Sequence, residues 1–281
     1  MKKIFLSFWS LLAAVTLANA QDVNQATDLF NNAVQYYSAG NLSSAVDYFK
    51  KALVIAKQCG EDGVEIVADC ENYIPLLGGQ IANNYAEEDK FAEAIAQLQT
   101  VVAECKELGL AEDAAKYEKK IPQFYLQQGM QAVKDKNYDE AVKAFDNVLA
   151  LDPTNGKAAL LKGQVLEATG NIDAAQGAYE LALANGQEKA AKRQLSKTYL
   201  KEAKAASGAK NYALALESAK KSFSYDATEA NAYYIGGIAA QNLNKNAEAI
   251  SLFEKYLELK PAAANSQAVR QVVEALKKGN K

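Results

Sequence analysis

Three cysteines, several adjacent carboxylates and two glycine doublets are what this chain offers for chemistry, and each is limited by what is missing beside it. The 281 residues include no His. Without imidazole there is neither the usual base for a Ser or Cys nucleophile nor the commonest zinc ligand, so the schemes built on them are excluded. Glu61-Asp62 and Glu87-Glu88 are carboxylate pairs, the raw material of a glycosidase, but both fall in polar turns where solvated charge is the simpler reading. Leu77-Gly78-Gly79 and Gly236-Gly237 lie inside helix-like stretches. Glycine there serves close packing rather than a phosphate-cradling loop. The expectation is a non-enzymatic chain with no cofactor and no metal.

The cysteines allow two states. If the helices around Asp89 fold back on each other, residues at the same level have numbers summing to about 178. Cys70 and Cys105 meet this better than Cys59 and Cys70 meet the corresponding condition around Asp62, at ~1.5 Å rise per residue. One alternative is therefore a Cys70–Cys105 disulfide with a free Cys59. The other is three reduced thiols packed as small apolar groups.

The elements that must position these residues are set by a recurrence. Ala45, Ala94, Ala141, Ala175, Ala215 and Ala249 each follow a short polar turn and precede a residue four positions on: Phe49, Leu98, Phe145, Tyr179, Ala219 and Phe253. All but Ala219 are bulky. Twelve positions before each alanine stands another small residue: Ala33, Ala82, Gly129, Gly163, Ala203 and Gly237. Small residues at both places let paired helices approach closely. The turns read Gly40-Asn41-Leu42, Asp89-Lys90-Phe91, Lys136-Asn137-Tyr138, Gly170-Asn171-Ile172, Lys210-Asn211-Tyr212 and Asn244-Lys245-Asn246, a polar start followed by an apolar anchor in five of the six.

This pattern resembles the tetratricopeptide repeat, over about residues 26 to 263, with the fullest agreement from Pro122 to Asn155, where Gly129, Tyr138, Ala141, Phe145 and Pro153 stand in register. Successive alanines are 49, 47, 34, 40 and 34 residues apart, against a family unit of about 34. The resemblance implies an all-α fold: a right-handed α-solenoid of about six helix pairs over residues 21–263. Residues 264–281 form a capping helix and tail. Ser266 is the candidate N-cap, followed by Val269, Val272, Val273 and Leu276 at helical spacing. A partner-binding role for that helix is the alternative. The extra length falls before Ile74-Pro75 and Ile121-Pro122, where a proline either kinks a long first helix or begins a new one. A kinked long helix is expected at both, because no glycine or turn cluster precedes either proline.

Residues 1–20 have the form of a secretory signal, with Lys2 and Lys3, an apolar stretch from Ile4 to Leu17, and Ala18-Asn19-Ala20 as a small-x-small cleavage site. The mature chain is then expected to start at Gln21, exported to the periplasm and without a transmembrane segment. Loss of the two lysines leaves 29 basic and 34 acidic residues, a net charge of −5, which argues against nucleic-acid binding.

In proteins similar to this one the first helices line a concave groove that grips protein or peptide partners. Carried over, the groove positions are Phe30, Val34, Tyr37, Asn83, Leu126, Met130, Leu160, Gln164, Lys197, Leu200, Lys204, Tyr234, Ile238 and Gln241. An apolar, amide-rich lining suits an extended or helical peptide. The alternative is that several of these side chains merely pack within the solenoid. The family's two-carboxylate clamp is not carried over, since only Asn83 fits its place. Lys189, Lys192, Arg193, Lys197, Lys201, Lys204 and Lys210 face only Glu188 and Glu202 between Gly186 and Lys210. That run is either a solvated face or a site for an acidic partner, an anionic envelope polymer or a membrane surface. A protein-interaction scaffold of the cell envelope is thus expected, with a glycan binder that stacks sugars on exposed tyrosines as the second reading.

Overall fold

A computed structural model describes residues 19–279. The expected signal segment therefore lies outside the described residues, except for Asn19 and Ala20, which open the first helix. The described residues form helices and turns throughout, and none of these helices is long and apolar enough to cross a membrane. The chain divides into two compact units, one reaching Phe124 and one starting at Tyr125.

In the first unit, α1 (Asn19–Ser38) pairs with α2 (Leu42–Ala56), and a 3-10 segment, Lys57–Gly63, leads into α3 (Val64–Glu87). This helix pairs with α4 (Phe91–Glu107), and α5 (Ala111–Glu118) packs on α4. Phe49 sits at the centre of the α1–α2 core, with Phe30 edge-on at 5.2 Å and Tyr73 stacked at 5.1 Å. Both glycines of the first doublet are packing positions. A Cβ on Gly78 would lie 2.5 Å from Val101, and one on Gly79 2.5 Å from the Tyr117 ring of α5.

The two Ile-Pro sites part company. Helix α3 runs on through Pro75 as expected. At the other site a new helix starts: α5 ends at Glu118, Lys119 and Lys120 turn, and α6 begins at Ile121. Pro122 is then in a first helical turn, where its missing N–H loses no bond, and the expectation of a kinked long helix fails there. The disulfide alternative fails as well. Cys59, Cys70 and Cys105 are all buried and unbridged. Cys70 belongs to the core shared with Ala33 and Phe49, whereas Cys105 feels the charges of Asp113 and Lys116 on α5. The two thiols face different neighbours.

In the second unit, α6 (Ile121–Lys134) precedes α7 (Tyr138–Leu151). Three further pairs follow: α8 (Gly156–Ala168) with α9 (Ile172–Ala184), α10 (Glu188–Gly208) with α11 (Tyr212–Tyr225), and α12 (Ala230–Asn242) with α13 (Asn246–Leu259). The last helix, α14 (Ser266–Gly279), lays Val269 and Val273 onto the core of α12 and α13. Ser266 does not cap it. Its hydroxyl donates to the Lys260 carbonyl at 2.8 Å, tying α14 to the end of α13, and the Asn265 carbonyl accepts the first helical bond from Val269.

All six recurrent alanines are 0% exposed. In three of the copies the small residue twelve before and the bulky residue four after touch. A Cβ on Gly129, Gly163 or Gly237 would lie 2.5, 2.5 or 2.6 Å from a ring carbon of Phe145, Tyr179 or Phe253. Where the bulky residue is replaced by Ala219, the α10–α11 approach is close enough for the Ser222 hydroxyl to reach the Ser196 carbonyl at 2.9 Å. Aromatic mass moves to Phe223, stacked on Tyr233 at 4.3 Å, and to Tyr225, stacked on Tyr199 at 5.9 Å.

Each of the six turns also has one geometry. Gly40, Asp89, Lys136, Gly170, Lys210 and Asn244, five residues before their alanines, all have positive φ. The next residue's N–H returns to the carbonyl five back, as in Asn41 to Tyr36 at 2.9 Å and Asn137 to Ala132 at 2.8 Å. This is the left-handed helix stop that satisfies otherwise orphaned carbonyls. In two of these turns the following Asn41 and Asn211 cap the next helix by accepting from Ser44 and Leu214 N–H, and in the α7–α8 connection Asn155 does the same from Ala158 N–H.

Candidate binding surface

The fully buried small residue on each first helix fixes the register of its neighbours. One residue later stand Val34, Asn83, Met130, Gln164, Lys204 and Ile238; three residues earlier stand Phe30, Gly79, Leu126, Leu160, Leu200 and Tyr234. These two positions are four apart and so share a helix face. They differ in depth. At the later position Asn83, Met130, Gln164 and Lys204 are exposed, Met130 at 38%. At the earlier position Gly79 and Leu200 are buried and the others half-buried.

In the first unit, Phe30, Val34 and Tyr37 all pack against the core built around Phe49, and Asn83 stands exposed on α3. In the second unit, Leu126 packs against the core of Phe145, Leu160 against Tyr179 and Ala182, and Tyr234 and Ile238 against the core of Phe253 and Tyr256. Tyr234 lies 5.1 Å from Tyr256 and 6.2 Å from Phe253. Gln241 is half-buried, and Lys197 is exposed. The apolar members of the expected groove thus double as packing groups, with one side left open. Asn83 in the first unit and Met130, Gln164, Lys197 and Lys204 in the second are exposed.

Helix α10 carries the charge of this face. Lys189, Arg193, Lys197, Lys201 and Lys204 are all exposed. Among the described residues twelve ion pairs occur, including Lys57–Glu71, Lys106–Glu118 and Lys162–Asp146, but these five cations join none of them. The two acids of α10 are engaged elsewhere. Glu188 holds Lys192 at 2.6 Å, which lowers the Glu188 pKa, and Glu202 accepts from the buried Gln176 amide at 3.4 Å. Tyr199 closes the opposite side of α10, its hydroxyl donating to Glu180 at 3.0 Å and its ring lying under Lys221.

Two surface features escaped sequence reasoning. On α1 and α2, Tyr36 and Tyr48 pair at 5.0 Å, with Lys51 over the Tyr48 ring at 4.7 Å. Between α7 and α9 lies a hollow of ≈ 400 Å³, bordered by Leu149, Leu166 and Leu181 beside the Lys162–Asp146 pair at 2.5 Å. The available signal was Leu181, apolar but two residues off the buried ridge that Tyr179 marks.

Residues 132–197 and residues 230–262 match family models described as tetratricopeptide repeat. No curated protein matches the chain in sequence. A crystal structure of MamA is 19% identical, with a TM-score of 0.36, and the match covers 64% of this chain and 95% of that one. MamA 41-end from Desulfovibrio magneticus RS-1 is 22% identical with a TM-score of 0.35, covering 68% and 97%. The first TPR of Spaghetti (RPAP3), solved with the HSP90 peptide SRMEEVD, is 18% identical with a TM-score of 0.22, covering 56% and 95%.

Proposed function

Because the chain belongs to the tetratricopeptide-repeat family, we propose that it is a scaffold that holds a protein or peptide partner on its first-helix face and performs no covalent chemistry itself. One observation carries this reading: the position after each buried small residue is open to solvent on α3, α6, α8 and α10, at Asn83, Met130, Gln164 and Lys204, while the packing it depends on lies directly beneath. Half-buried leucines and tyrosines beside these positions offer apolar floor, and amides and ammonium groups offer hydrogen bonds, which together suit a peptide backbone with alternating side chains.

The N-terminal pattern supports placing the scaffold in the cell envelope, after removal of residues 1–20. N-terminal sequencing of the chain recovered from an envelope fraction should begin at Gln21; a chain that keeps Met1 and stays in the cytoplasm overturns that placement.

The binding reading is tested with the purified chain as bait in envelope extract, beside a Met130→Ser, Gln164→Ala double variant. Both side chains are exposed, so the fold should survive. Specific proteins retained by the parent and lost by the variant support the reading. Equal recovery by both chains moves the binding surface elsewhere.

A further inference from the structure

The exposed cations of α10 have a spacing as well as a charge. Lys189, Arg193, Lys197 and Lys201 follow one another at four-residue intervals, with Lys204 beside the last. At ~1.5 Å per residue their attachment points advance by about 6 Å each. In an extended chain, side chains on one side recur every second residue, at about 6.6 Å. The two periods nearly coincide over the roughly 18 Å from Lys189 to Lys201, a length that an extended segment of about seven residues spans.

Like charges one turn apart destabilise the helix that carries them, and nothing among the described residues relieves them. Glu188 and Glu202 are held by Lys192 and Gln176. The row drifts round α10 by about 40° at each four-residue step, in a chain whose formal net charge is −3. A single extended acidic strand can follow this row of exposed cations.

We infer that α10 is a docking rail for an extended acidic protein segment with Asp or Glu at alternate positions. The inference rests on the scaffold reading above and names the chemistry of its partner. Arg193 and Lys197 are the central contacts, with Lys201 and Lys204 at one end of the rail and Lys189 extending it toward the start of α10.

The test is fluorescence anisotropy on the full chain with a labelled nonapeptide of alternating Glu and Ser, a peptide of the same composition with its glutamates in one block, and vesicles containing phosphatidylserine. The alternating peptide should bind several-fold tighter than the block peptide and weaken as salt rises. Charge reversal in K197E/K201E/K204E should weaken it at least tenfold. If reversal disturbs the helix, seen as a lower melting temperature by circular dichroism, K197Q/K201Q/K204Q carries the same expectation of clear loss. Failure of the alternating peptide to bind overturns the inference, as does undiminished binding by the variants or vesicle binding without peptide binding. If partner capture still depends on Met130 and Gln164 in any of those cases, only the acidic-segment inference falls and the scaffold reading stands.

Discussion

The ring of Tyr179 fills the space that a side chain on Gly163 would need: its Cε1 carbon lies 2.5 Å from where a Cβ would be placed. Its hydroxyl is fixed by Glu167 at 2.7 Å. The ring therefore has little freedom to yield, and the helix pair is set at the distance glycine permits. Gly163→Ala should cost about 1–3 kcal/mol through overpacking, less about 1 kcal/mol returned by better helix propensity. Gly177, on α9, has nothing within 4 Å of an added Cβ, so Gly177→Ala should stabilise by about 0.5–1 kcal/mol. Thermal melts of the two variants should move in opposite directions; a shift of the same sign contradicts the packing described.

The left-handed turns make a second pair of opposite expectations. Lys136 and Lys210 hold φ of 61 and 60 degrees, a region that costs a non-glycine residue about 1–2 kcal/mol. Lys136→Gly and Lys210→Gly should each raise the melting temperature slightly, since part of the relief is offset by glycine's freedom in the unfolded chain. Gly170→Ala should lower it, by about 1 kcal/mol of stability. Urea midpoints measured on all three variants check both signs.

The three thiols should be silent in the folded protein. Burial raises the Cys70 pKa to about 12 and raises those of Cys59 and Cys105, and the thiolate is the reactive form. A thiol reagent at neutral pH should find almost no reactive group until denaturant is added, then three. Recovery of a single thiol from the unfolded, unreduced chain would mean a bridge after all.

Alkali should weaken the fold by favouring ionisation of its buried phenols in the unfolded chain. Burial pushes the Tyr117 phenol up to about 12, and burial followed by hydroxyl donation to Glu167 and Glu180 raises Tyr179 and Tyr199 further. In the unfolded chain these phenols ionise near about 10. Between those values the native state binds more protons than the unfolded state, so the stability they contribute is complete below about pH 10 and declines as pH rises toward the folded values. The urea midpoint should be level from pH 7 to 9 and fall above 10, with a smaller fall in Tyr179→Phe.

How far the sequence could be read depended on whether a residue's role repeats. Ala45, Ala94, Ala141, Ala175, Ala215 and Ala249 could be recognised because each copy restates one steric demand, and all six are buried where the pattern put them. Ile74-Pro75 and Ile121-Pro122 are the same dipeptide with different outcomes, one inside α3 and one opening α6. The residues before them do not distinguish the two, because Lys119-Lys120 forms a turn without glycine or proline. Cys70 and Cys105 lie on the paired helices α3 and α4, but level along the helices does not decide whether two side chains meet. On the proposed binding face, register groups residues on one side of each helix but does not give their depth: Leu200 is buried and Lys204 open, four residues apart on α10, because coverage is set by side chains of neighbouring helices that no local pattern encodes.

The contact between Gly163 and Tyr179, like those between Gly129 and Phe145 and between Gly237 and Phe253, joins residues only sixteen apart. Closing so short a loop is fast and costs little chain entropy. A chain emerging from the ribosome holds, within a few dozen residues, everything one helix pair needs to seal its own interior. Synthesis and ordering can then proceed in step, each finished pair offering the next a ready wall to fold against.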